Sequence, residues 1–270
     1  MYLAHAASGI ASFRTFVESY RRHPAGMEHR LLVVYKGFSQ SRDDYRQLLA
    51  GVSHDEIDVP DRGYDVGSYR DASQALESSH VCFLNSASEV LSPDWLRMLF
   101  DHATQREVGA AGATGSWESF LTNYEQSSRP PRDAFVLERS ARSVKRWFKL
   151  RRYRADFFPA PNPHLRTNAF IIERSRWLSL TTGPLRAKED LWRFESGKQS
   201  MTRQLLAQGL EVMVVGRDGV AYPKTQWPAS ATFRGGEQRN LLVADNRTRQ
   251  YEQADEAEKR RLASLAWASA

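Results

Sequence analysis

The chain has 270 residues, 41% hydrophobic and 26% charged, enough apolar material for a sizeable packed core and too much for global disorder. No apolar run approaches the ~20 residues of a membrane-spanning helix, no secretory leader pattern is visible, and the lone Cys82 excludes an intramolecular disulfide or thiolate-rich zinc site, so a soluble, cytoplasmic protein is expected. The net charge of +6 is uneven: Arg129 to Arg154 holds ten basic residues against Asp133 and Glu138, which makes that stretch +8 and the remainder −2.

Tyr2 to Ala6 reads as a short apolar strand, after which Phe13, Phe16, Val17 and Tyr20 share one face of a helix. Leu31 to Tyr35 is an unbroken β-branched and apolar run, the pattern of a strand covered on both faces. Tyr45, Leu48 and Leu49 mark a second helix, Glu56 to Val59 a third strand, Tyr69 to Ser78 a third helix and Val81 to Leu84 a fourth strand, in which Cys82 reads as a buried thiol. Pro93 opens a helix carrying Leu96, Leu99 and Phe100, and Val108 to Ala113 is a small-residue strand.

In the basic stretch Leu137, Ala141, Val144 and Phe148 recur at helical spacing, with Arg139, Arg142, Lys145, Arg146 and Lys149 mostly around the other faces. Two uses stay open for this amphipathic helix: packing one stripe on the core, or meeting anionic headgroups or phosphates. Phe157 to His164 is a proline-rich loop, Asn168 to Ile172 a strand, Leu191 to Gln208 a helix and Glu211 to Val215 a strand. Gly216 to Asn246 is loop-rich with Gly235 and Gly236 as hinges, and Gln250 to Ala270 is a helix expected to dock weakly or fray. The alternation predicts an α/β fold in which residues 1–216, including 129–154, form one unit and residues 217–270 an extension packed on it.

Open parallel sheets bind ligands beyond the carboxyl ends of their strands, where loops and helix N-termini converge. Four loops with unusual polar content fall there: Ala6 to Gly9, Asp61 to Arg70, Asn85 to Glu89, and Arg186 to Gly197. In the second, Gly63 and Gly67 let the backbone approach a ligand, Asp65 accepts hydrogen bonds from a base or ribose hydroxyl, and Arg62 or Arg70 meets phosphate. In the fourth, Glu189 and Asp190 suit either proton transfer or the first turn of a helix, where negative charge complements the dipole.

The third loop, Asn85-Ser86-Ala87-Ser88-Glu89, follows a buried strand and precedes Pro93-Asp94-Trp95. With this order of elements the chain resembles the GT-A glycosyltransferases, especially family 2-like bacterial enzymes that build rhamnan and other cell-surface polysaccharides. The resemblance implies a GT-A-like, mostly parallel central sheet flanked by helices, with a loop-rich C-terminal extension. It also implies a hexosyltransferase-type enzyme that transfers a sugar, with inversion, from a nucleotide-diphosphate donor to a glycan or lipid-linked acceptor.

On that resemblance His5, Ala6, Asp65, Gly67, Arg70, Asn85 and Ser86 line the donor side, and Asp190, with Glu189 as substitute, is the general base. His164, Arg166 and Trp192 fall on the acceptor side, with Trp117 and Trp192 as aromatic sugar platforms. The family holds a divalent cation, Mn2+ or Mg2+, with an Asp-x-Asp motif. That place reads Asn85-Ser86-Ala87-Ser88 here, which leaves Ser88 and Glu89 as candidate ligands and makes Arg and Lys the alternative neutralisers of phosphate. The expected partners are a nucleotide sugar, a glycan or lipid-linked acceptor and, through the basic helix, an anionic inner-membrane surface; no nucleic acid is expected. Two rivals remain: a catalytically inactive relative that binds nucleotide or glycan, and a nucleic-acid or membrane binder built on the Arg-rich helix.

Overall fold

The computed structural model describes residues 1–128 and 136–268, without the side chains of 136–143. Residues 129–135 of the basic stretch, and the Leu137 and Ala141 side chains of its expected stripe, lie outside the described residues. Eight strands make the central sheet: β1 (Tyr2–His5), β2 (Leu32–Lys36), β3 (Asp55–Val59), β4 (His80–Leu84), β5 (Val108–Gly112), β6 (Ala169–Glu173), β7 (Glu211–Val215) and β8 (Ala221–Pro223). Their order is β8-β7-β5-β6-β4-β1-β2-β3. β1 runs parallel to β2 and β4, β2 to β3, and β5 to β7, whereas β6 is antiparallel to β4 and β5, and β8 to β7.

This is the mostly parallel, helix-flanked α/β architecture expected. Its cause is two-sided burial with a period of two. Tyr2, Ala4, Val33 and Tyr35 point to one face with Phe13, Phe16, Val17, Trp95 and Leu99. Leu3, Leu32 and Val34 point to the other with Val66, Tyr69, Trp177, Phe194 and Leu205. Cys82 is buried in β4, and burial pushes its thiol up to about 11.

Three elements differ from expectation. The third helix starts at Tyr64, not Tyr69, because Gly63 takes the left-handed conformation (φ 68°) at its N-cap and admits an earlier turn. The expected Leu191–Gln208 helix is two, Lys188–Ser196 and Met201–Ala207, broken at Gly197 and restarted by Ser200, whose hydroxyl accepts from the Arg203 amide. The last helix, Glu256–Trp267, does not fray: Leu262, Ala266 and Trp267 are buried, and the Trp117 amide donates to the Ala266 carbonyl at 2.7 Å. A further antiparallel pair, Val243–Ala244 on Glu89–Val90, binds the extension to the loop after β4.

Candidate functional site

Because β6 is reversed, its amino end lies at the same sheet edge as the carboxyl ends of β1, β2, β4 and β5. That single reversal brings Arg166 beside Thr114, and Asn168 beside Asn85 and Thr114, on the edge that also carries His5 and Lys36. The edge is stitched across the sheet: the Asn85 amide donates to the Asn168 carbonyl (3.0 Å), and the Thr114 hydroxyl donates to Asn168 Oδ1 (2.8 Å). Asn168 Nδ2 is a buried donor with no partner among the described residues.

At the carboxyl end of β2 the Lys36 side chain is 4% exposed, and its ammonium donates to the Tyr64 carbonyl at 2.8 Å and lies 3.9 Å from Asp61. His5 Nε2 lies 3.7 Å from the same carboxylate. Burial pulls the Lys36 ammonium below its ordinary value and raises the Asp65 carboxyl, which Lys36 and His5 oppose and Glu195 reinforces. Asp65 is therefore a poorly hydrated acceptor. Gly67 follows in the same helix turn, where an added Cβ would come 3.3 Å from the Arg62 carbonyl. Arg70 points elsewhere: its guanidinium donates to the Leu178 and Leu180 carbonyls, so it ties two helices together and leaves the expected phosphate role to other groups.

The turn after β4 is closed on itself. Asn85 Oδ1 accepts from the Ala87 amide and the Ser88 hydroxyl, Ser86 bonds Ser8 through their hydroxyls, and Tyr2 donates to the Ser86 carbonyl. Ser88 is fully buried, and Glu89 is paired at 3.3 Å with Arg249, which also donates to the Ala87 carbonyl. A hard dication prefers several anionic oxygens. The turn instead offers hydroxyls already engaged and one carboxylate already neutralised, so Ser88 and Glu89 do not fit a Mn2+ or Mg2+ site, and no group of three or more acidic, His or Cys residues assembles elsewhere among the described residues.

His164, Arg166 and Trp192 line a cavity of about 170 Å³ together with Ser116, Glu118, Phe120, Glu195, Phe233, Arg234 and Arg247. Trp192 and Glu195 project from helix Lys188–Ser196 three residues apart, on one face. Trp192 stacks on Phe120 (4.6 Å, 18°), which leaves its edge for the cavity. Trp117 does not line it; it packs edge-on against Trp267 in the core. Glu195 Oε1 accepts from the Thr167 amide and hydroxyl, while Oε2 has no hydrogen-bond partner among the described residues.

His164 Nδ1 lies 2.8 Å from the Asn162 carbonyl. A carbonyl only accepts, so the proton is assigned to Nδ1 and the neutral ring leaves Nε2 bare. Burial holds this imidazole below its ordinary value against the pull of Glu195. Arg166 donates to Asp245 at 2.7 Å and lies over the Phe233 ring.

Asp190 is near this cavity in sequence but not in role. Its Oδ2 accepts from the Arg186 and Ala187 amides, and its other oxygen pairs with Arg193, which also bonds Asp156. The Ala187 amide, joined by that of Arg186 and the Arg193 cation, holds its carboxyl below the ordinary carboxylate range, the wrong direction for a proton acceptor. Glu189 stands beside it in the first helical turn, half-buried and in no ion pair among the described residues. A larger cavity, about 320 Å³, opens at the opposite sheet edge among Met1, Met27, Leu31, Leu76, Leu96 and Phe100, away from every convergent polar group described above.

No protein-family profile matches the chain, and neither does any curated protein. Among solved structures it is similar to glucosyl-3-phosphoglycerate synthase from Mycobacterium tuberculosis, at 13% identity over 64% of this chain and 56% of that one, with a TM-score of 0.36. The chain thus spans little more than half of that synthase. A 4-diphosphocytidyl-2C-methyl-D-erythritol synthase from Anaerococcus prevotii shares 14% identity over 79% and 86% of the two chains, TM-score 0.44, and mouse xyloside xylosyltransferase 1 shares 12% over 79% and 83%, TM-score 0.39. At these values the likeness assigns no activity to the chain.

Several residues of the edge escape sequence reading. Lys36 ends an apolar run and reads as the first loop residue, although a lysine at the carboxyl end of a parallel strand is a usable signal. Thr114 and Glu118 follow β5 in the same way. Arg234, Asp245 and Arg249 lie in loops or short helices without periodicity, and only the fold brings them near residues 85–118.

Proposed function

We propose that the chain is an inverting glycosyltransferase that moves a hexosyl group from a nucleotide-diphosphate sugar to a hydroxyl of a glycan or lipid-linked acceptor. The observation that carries this reading is Glu195, whose Oε2 borders a cavity and has no hydrogen-bond partner among the described residues, together with Asp65, a half-buried carboxylate in the first turn of the helix after β3. Asp65 receives a ribose or base donor. Glu195 Oε2 takes the proton of the acceptor hydroxyl as its oxygen bonds to the anomeric carbon, and the bond from that carbon to the diphosphate breaks with its electrons leaving on the nucleotide. No step is assigned to a metal. The resemblance over Asn85 to Trp95 supports a setting in bacterial surface polysaccharide of rhamnan type.

Thermal shift against UDP-, GDP-, dTDP- and CMP-sugars tests the donor half. One sugar nucleotide should raise the melting temperature, and Asp65→Ala should weaken that ligand by about 10-fold, the cost of one unpaired polar group. No shift with any nucleotide sugar would remove the reading, while binding without transfer to any acceptor would favour an inactive relative.

The same reading places the protein at an anionic lipid surface. Helix Val136–Asp156 buries Leu150 and Tyr153 with Phe157 against Leu121 and Tyr124, and on other faces exposes Val144, Trp147 and Phe148 by 56, 56 and 59%. Lys145 neighbours these side chains and Arg151 lies over the Trp147 ring at 5.8 Å, an apolar wedge with cationic flanks that matches a bilayer interface. No helix among the described residues is long and apolar enough to cross a membrane. The protein should sediment with phosphatidylglycerol-containing vesicles and not with pure phosphatidylcholine, and Trp147→Glu with Phe148→Glu should lower the bound fraction about 10-fold or more. Unchanged sedimentation of that double variant would assign the helix another purpose.

A further inference from the structure

Two of the three arginines that line the acceptor cavity are already engaged or wet. Arg166 is paired with Asp245 at 2.7 Å, and Arg247 is exposed at the rim. Arg234 is different. It is 4% exposed, its Nε has no hydrogen-bond partner, and Glu118, at 3.9 Å, is its one ion-pair neighbour among the described residues.

Glu118 is itself held by the Asn123 amide at 2.7 Å. Burial lowers the Arg234 guanidinium to about 10, so the nearby acids do not make good the water it has lost. A buried guanidinium in this condition destabilises the fold unless an anion completes it. The Phe233 ring fixes its direction: Arg166 and Arg234 both lie over that ring, at 4.3 and 5.0 Å. Across the same hollow stand the bare His164 Nε2 and Glu195.

We infer that Arg234, with Arg166 and Arg247, forms a subsite for a compact oxyanion, a phosphate or carboxylate carried by the acceptor, within reach of the hydroxyl that Glu195 deprotonates. Assigning the anion to the acceptor rests on the transferase reading; the anion site itself does not. The Arg234 fork, its Nε unpartnered among the described residues, lies over Phe233 beside the Asp245-paired Arg166 and suits oxyanion contacts better than a neutral sugar hydroxyl.

Calorimetry of the full chain with inorganic phosphate and with acetate tests the site. Phosphate or acetate should bind in wild type, and Arg234→Met should weaken it about 10-fold or more, as expected when one charge-assisted pair is lost. Arg247→Ala, at an exposed position, should weaken it about 3-fold. The two probes separate the anion classes: the one bound more tightly names the acceptor group. Binding of neither probe overturns the proposal, and so does phosphate binding that survives both substitutions and is displaced by UDP, because that phosphate occupies the donor side. Nucleotide-sugar binding is measured on the same samples; its absence with the anion site intact sinks the transferase reading alone.

Discussion

Glu195→Gln should lower turnover about 100-fold or more while leaving nucleotide-sugar affinity within about 2-fold, the signature of a lost general base rather than a lost binding contact. The amide keeps the Thr167 hydrogen bonds through its carbonyl oxygen but presents no lone-pair anion to the acceptor hydroxyl. Asp190→Asn is the matched control. Its carboxylate caps helix Lys188–Ser196 and pairs with Arg193, so the change should cost about 1 to 3 kcal/mol of stability and leave the rate within about 3-fold. Initial-rate measurements and urea melts on the two variants separate the roles: a full rate in Glu195→Gln moves the base to His164, and a collapsed rate with an intact fold in Asp190→Asn restores Asp190.

Asp245→Ala should be the most damaging single change to the fold. Asp245 is fully buried; one oxygen accepts from the Arg247 and Thr248 amides at 2.9 Å, and the other holds Arg166. Removing it strands a cation that is 12% exposed and uncaps helix Asn246–Glu252. The expected loss is about 3 to 5 kcal/mol, seen as a fall in melting temperature of roughly 10 °C.

The pH dependence has a definite sign. Burial alone would raise the Asp245 carboxyl, but the Arg166 cation and the amide donors outweigh it and leave the group below its ordinary value. Its contribution is therefore fully present above the unfolded value, about 3.9, and is lost as pH falls through the lower folded value. Wild type and variant should differ fully from pH 7 down to about pH 4 and begin to converge only below it. A constant gap across that range would mean that the aspartate acts only through shape.

What the sequence revealed follows the range of each interaction. β2 was readable because Leu32 to Tyr35 alternate between two apolar faces, a pattern local to one strand. The split of Leu191–Gln208 was hidden because the apolar spacing continues through Gly197 while the chain itself turns. The choice among acids was partly readable: Trp192 and Glu195 are three apart, whereas Asp190 shares its side of the helix with Phe194, four apart and buried. The placing of Arg70 was not, since its partners are the carbonyls of residues more than a hundred positions away. Arg234 and Asp245 gave no periodic signal at all.

The Arg166–Asp245 pair joins positions 79 residues apart, and every wall of the cation-lined hollow but one is laid down before its second member exists. A growing polypeptide therefore exposes an unfinished pocket until synthesis has passed that point, and the free-energy cost of closing so long a loop must be met by the docking of the final helices.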